Sequence, residues 1–164
     1  MADDGGLQLG LQITKFIALI GFEIGYVGIE RDQRRLREAI ADGYSASFGD
    51  AADIRMWQSV EMQTRRISVL TAPRFESVSD NTPLAAAQYP QLKRIAAAID
   101  EAQAAQFHDI GVKAIVERGT PHGAHTAAAV LAEMGCDPTK VAEWMQQSTA
   151  RVAAKAPMPP AVAA

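Results

Sequence analysis

Residues 84–118, LAAAQYPQLKRIAAAIDEAQAAQFHDIGVKAIVER, are the stretch on which the fold turns. Alanine is the best helix former, and the segment contains few residues that would break a helix. Leu92, Ile95, Ile99, Ala102, Phe107, Ile110 and Ile115 recur at near-helical spacing and supply a stripe that can be buried. The stretch therefore reads as one long alanine-rich helix from about Leu84 to Arg118, bent near Pro90. Alanine faces let helices approach closely, which suits bundles and side-by-side oligomers.

The sequence that follows is sharply punctuated. Gly119 ends the long helix, Thr120 caps the next with Pro121 at its first position, and Gly135 ends that one. Asp137 then caps a last helix that starts at Pro138 and runs to about Lys155. Two helices joined across GCDP form an αα-corner, and APMPPAVAA reads as a tail. Upstream, Ile54, Trp57, Val60, Thr64 and Ile67 predict an amphipathic helix over about 50–71, capped by Ser47 or Asp50 and stopped by Pro73. Its Arg55, Arg65 and Arg66 read as a solvated face, and PRFESVSDNTP reads as a loop.

The N-terminal third is harder to place. FIALIGFEIGYVGIERDQRRLR, residues 16–37, is apolar and glycine-spaced as far as Ile29, then arginine-rich. Length would span a bilayer, but Lys15 and Glu23 make a lone lipid-exposed span costly. Gly21-x-x-x-Gly25 permits close helix approach, so Phe16, Ile20, Gly21, Phe22, Gly25, Tyr26 and Gly28 are the residues expected at a subunit interface or membrane contact. Alternative readings are a solvated helical continuation over 30–40, with Arg34 and Glu38 as an i,i+4 pair, and a β-hairpin from the alternation in LQLGLQI. The expected class is all-α: a helical bundle with an apolar N-terminal helix, a long alanine-rich helix and the C-terminal αα-corner. It divides into an acidic extension (1–6), an apolar helix with an Arg-rich continuation (7–45), a helical domain (46–155) and a tail (156–164).

A net charge of -3 gives no global reason to bind nucleic acid. The single cysteine, Cys136, rules out an intramolecular disulfide framework, and acidic MADDGG is unlike a secretory leader, so synthesis in the cytoplasm is expected. VLAEMGCDPTKVAEWMQQ resembles the helix-turn-helix of DNA-binding regulators, with Gly135 at the turn and Val141 and Trp144 at buried positions. That resemblance would make Pro138 the start of a recognition helix presenting Thr139, Lys140, Gln146 and Gln147, although Glu143 in the same face leaves it poor in cations. His122 and His125 have the His-x-x-His spacing of a metal pair without an evident third ligand, and they read more simply as surface histidines.

No Gly-x-Ser-x-Gly elbow, Walker loop or dinucleotide fingerprint is recognised, and Gly21, Gly25 and Gly28 do not reproduce G-x-G-x-x-G. The leading expectation is a non-catalytic structural subunit of an oligomeric assembly, of virion or secretion type, without a cofactor. Its N-terminal helix would touch a membrane or neighbouring subunits. A helix-turn-helix DNA-binding protein and a small metal-dependent enzyme using the histidine pair are the alternatives.

Overall fold

The computed structural model describes residues 22, 24–71, 74–117 and 123–155, of which 149–155 are described as helical backbone alone. The chain is α/β, not all-α. Strand β1 (Gly28–Glu30) leads into α1 (Gln33–Ala41) and returns as β2 (Ala46–Phe48). A short helix α2 (Ile54–Ser59) and a 3-10 turn (Met62–Thr64) precede β3 (Ile67–Leu70). Then come α3 (Phe75–Gln88), β4 (Lys93–Ala98), α4 (Glu101–Asp109), β5 (Lys113–Val116), α5 (Ala124–Glu133) and α6 (Pro138–Lys155). Among the described residues the strands form two parallel sheets, β1-β2 and β3-β4-β5.

The stretch that reads as one long helix is a βαβ unit preceded by the end of α3. Ile95, Ala96, Ala97 and Ala98 are all buried in β4, the middle strand of its sheet. A parallel strand covered on both faces needs a continuous apolar run, and here small side chains let helices sit close above and below it. That burial outweighs alanine's helix preference, which is a small term per residue. Asp100 accepts a hydrogen bond from the Gln103 backbone N–H at 2.7 Å and so starts α4. Gly111, at φ +75°, closes the turn into β5. Phe107, fully buried, points from α4 into the cluster of Ala96, Ala98, Val112 and Ala114, with Phe75 of α3 at 5.6 Å between ring centroids.

The other expected helices are corrected in the same way. Of the amphipathic helix over 50–71, only α2 forms; Asp53 rather than Ser47 or Asp50 caps it, and Ile67 lies in β3. PRFESVSDNTP is largely helix α3, which contains Pro83. Residues 24–27 carry no regular secondary structure and Gly28–Glu30 is a strand, so an apolar helix through Ile29 does not form. Of the solvated helical continuation over 30–40, the part from Gln33 forms as α1, capped by Asp32, with Arg34 Nη1 3.0 Å from Glu38 Oε1, while Glu30 belongs to β1. The β-hairpin reading of LQLGLQI lies outside the described residues.

The αα-corner is present as α5 and α6, turned by Gly135 at φ +79°. Leu131 and Ala127 of α5 bury against Trp144, Val141 and Cys136, with Phe22 and Ile24 on the same cluster. Among the described residues no helix is long and apolar enough to cross a membrane.

Candidate functional site

A cleft of about 880 Å³ lies between β1 and β3. Its mouth is made by the segments that leave the carboxyl ends of three strands. Glu30 ends β1, with Arg31 and Asp32 following; Gly49 and Asp50 follow β2; Thr71 and Arg74 lie between β3 and α3.

Each mouth residue is held by local chemistry. Glu30 Oε1 accepts the Asp32 backbone N–H at 2.9 Å, and its carbonyl accepts the Gly49 N–H at 3.1 Å, which ties the ends of β1 and β2 together. Asp32 Oδ1 accepts the backbone N–H groups of Arg34 and Arg35 at 2.8 and 3.0 Å. The Arg35 N–H is the main cause of an Asp32 carboxyl held below its ordinary range; the Arg34 N–H and both guanidinium charges act in the same direction against some desolvation. A Cβ on Gly49 would meet the Met56 side chain, a flexible group that would have to shift to admit it. The result is a half-buried carboxylate at a strand end, facing a crevice whose rim also carries Arg31, Arg35 and Arg74. A carboxylate so placed can accept paired sugar hydroxyls, and guanidinium groups can bind phosphate.

A second acidic residue sits at the end of β5. Glu117, with its side chain 7% exposed, accepts the Thr126 backbone N–H at 2.7 Å and the Thr126 hydroxyl, and lies 3.3 Å from His125 Nδ1. Gly123 offers α5 no side-chain cap, so Glu117 fulfils that role from the neighbouring strand. This is a structural clasp between β5 and α5.

Similarity to known proteins agrees with this geometry. Residues 5–118 match the TrkA-N domain. The chain belongs to the TrkA-N domain family. A crystal structure of the TrkA-N domain of the inner membrane protein ybaL from Escherichia coli aligns over 71% of this chain and 82% of that one, at 24% identity and a TM-score of 0.53. The Shewanella denitrificans Kef CTD in AMP-bound form aligns over 79% of this chain and 92% of that one, at 19% identity and a TM-score of 0.43. No curated protein matches.

The TrkA-N assignment overturns the virion or secretion-type structural subunit and the helix-turn-helix DNA-binding alternative. Thr139, Lys140, Gln146 and Gln147 are exposed on α6, downstream of the matched domain, and the corner that carries them closes the α5–α6 core. His125 is exposed beside Glu117, His122 is outside the described residues, and no group of three metal-ligating side chains occurs among the described residues. Of the expected interface residues, Phe16, Ile20 and Gly21 lie outside the described residues. Phe22 packs on the α5–α6 cluster. Gly25 is exposed with nothing within 4 Å of a notional Cβ. The Tyr26 hydroxyl accepts the Ser45 N–H at 3.4 Å, and Gly28 is in β1.

Glu30, at the mouth of the cleft, has only a weak sequence signal. Its signal is GGLQLG at residues 5–10, which has the outer glycines of G-x-G-x-x-G with Leu7 at the middle one, and an acidic residue 20 positions beyond Gly10. The substituted glycine hides the fingerprint. GGLQLG itself is outside the described residues.

Proposed function

We propose that this TrkA-N domain is a nucleotide-sensing regulatory domain of an ion-transport system, acting by binding rather than by turnover. The observation that carries the reading is Glu30 at the carboxyl end of β1, opening on the crevice between two parallel sheets. In doubly wound folds ligands bind outside the carboxyl ends of the strands where the strand order reverses, and an acidic residue there takes the ribose hydroxyls. Leu7 replaces the glycine that would let a pyrophosphate approach the backbone, which favours a mononucleotide over a dinucleotide. The transporter would be a membrane protein, as ybaL is an inner membrane protein.

Isothermal titration with AMP, ADP, ATP, NAD+ and NADH tests this. At least one adenine nucleotide should bind with a Kd below about 1 mM, and Glu30→Gln should weaken it roughly tenfold, the worth of one charge-assisted hydrogen bond. Binding of none of the five, or an affinity indifferent to Glu30→Gln, would overturn the assignment.

A further inference from the structure

We propose that Met56 is a peroxide-sensitive modification site, whose oxidation to the sulfoxide releases the turn at the mouth of the cleft. The proposal rests on the packing behind Gly49 and not on nucleotide binding at the mouth.

The turn between β2 and α2 brings the sulfur there. Asp50 Oδ1 accepts the Ala52 N–H and the Asp50 carbonyl accepts the Asp53 N–H, both at 2.9 Å, so the chain folds back before α2 begins. Asp53 caps α2, and Met56, the third residue of that helix, lies behind Gly49. The atom closest to where a Gly49 Cβ would stand is Met56 Sδ, followed by Cγ and Cε of the same side chain at 3.0 and 3.1 Å. The sulfur itself therefore backs Gly49. The same side chain packs against the cluster of Trp57, Ala85 and Tyr89. Gly49 N–H donates to the Glu30 carbonyl at 3.1 Å, so the sulfur stands behind the bond that ties the end of β1 to the end of β2.

The surroundings fit both oxidation states. Met56 is half-buried, so a small oxidant can reach it. Ser59 Oγ lies 3.5 Å from Met56 Sδ while donating to the Met56 carbonyl at 2.8 Å. A thioether is a weak acceptor and leaves that hydroxyl to the carbonyl, whereas a sulfoxide oxygen is a strong acceptor to which the hydroxyl can turn. With hydrogen peroxide the step balances. The sulfur lone pair attacks one peroxide oxygen, the S–O bond forms as the O–O bond breaks, and the departing hydroxide takes the proton of the transferred oxygen and leaves as water. Sulfur is oxidised and peroxide is reduced. The apolar side chain becomes polar, and a polar group pressed into an apolar cluster is unfavourable unless it is hydrogen-bonded. Turning toward Ser59 or toward solvent satisfies the new oxygen and takes the sulfur off Gly49. Staying in place presses the oxygen onto the Gly49 backbone. Both outcomes loosen the bond between Gly49 and Glu30.

The test is hydrogen exchange on the full chain without nucleotide, before and after millimolar hydrogen peroxide, with peptide mass spectrometry to locate the added oxygen. Met56 should take up one oxygen, and the Gly49 amide should exchange at least about tenfold faster while those of Ile95–Ala98 stay unchanged. The epimer-specific methionine sulfoxide reductases should restore the original rate. Leucine keeps the volume without the sulfur. Met56→Leu should therefore make the Gly49 amide indifferent to peroxide, and Met62→Leu, on the same cluster, should leave the response intact. Because nucleotide is absent, a chain that binds none can still give this result. The proposal is overturned if Met56 stays a thioether while other methionines oxidise, if oxidised Met56 leaves Gly49 exchange unchanged, or if the Met56→Leu chain still responds.

Discussion

Glu133 stands at the end of α5 between two strands. Its Oε2 accepts Lys93 Nζ of β4 at 2.6 Å and its Oε1 accepts Lys113 Nζ of β5 at 2.8 Å, so a single carboxylate fastens the helix to both strand starts. The hydrogen bonds from Lys113 and then Lys93, with their charges, pull its pKa down from 4.5 to about 2. The folded state favours the ionised form. Its contribution is therefore complete above 4.5 and is lost as pH falls toward about 2. The difference in Tm between the native chain and Glu133→Gln should be constant above roughly pH 5 and close as the pH approaches the folded value. A difference that survives unchanged at the acid end would show that the lysines are not what Glu133 serves. Neither this bridge nor the Glu117 clasp is legible in the sequence, because their partners are 8 to 40 residues away and meet only once the sheet has formed.

At the scale of elements, the legible parts were those written in local chemistry. The Arg34–Glu38 pair, and Gly135 and Asp137 at the α5–α6 corner, all depend on neighbours within a few residues. The strands were not legible, because β1 and β2 are three residues each and β4 is alanine-rich, and only pairing distinguishes such segments from helix. Helix α3 was hidden by Pro83, which gives up a backbone hydrogen bond inside a helix of 14 residues. Nearby side chains occupy other carbonyls of the same helix: Thr82 Oγ1 donates to the Val78 carbonyl at 2.7 Å and Asn81 Nδ2 to that of Ser77 at 2.9 Å. Pro83 is exposed, so replacing it by alanine removes no packing. Pro83→Ala should raise stability by about 1–2 kcal/mol in urea unfolding, the helix-interior cost of proline less its stiffening of the unfolded chain. A loss of stability would mean that the ring sets the course of α3.

Across the whole molecule, the two sheets are unequal. β4 is buried along Ile95–Ala98 and is flanked by strands on both sides, whereas no residue of β1, α1 or β2 is fully buried. Local opening costs less where few apolar contacts are broken, so the β1–β2 unit is drawn from the low end of the stability range. Native-state hydrogen exchange in low denaturant should find the paired amides of Glu30 and Gly49 exchanging at least about tenfold faster than those of Ile95–Ala98, with only the latter reporting global unfolding. The ordering matters for the proposed role. A ligand at Glu30 and Asp32 touches the less stable unit, while Thr71 and Arg74 on the opposite rim belong to the stable one, so binding there would draw the two together. Saturating nucleotide should then slow exchange at Glu30 and Gly49 more than at β4, because a ligand stabilises most the opening that destroys its site. Uniform exchange across both sheets would mean that they open as one body, and that a ligand at the mouth has no separate unit to hold.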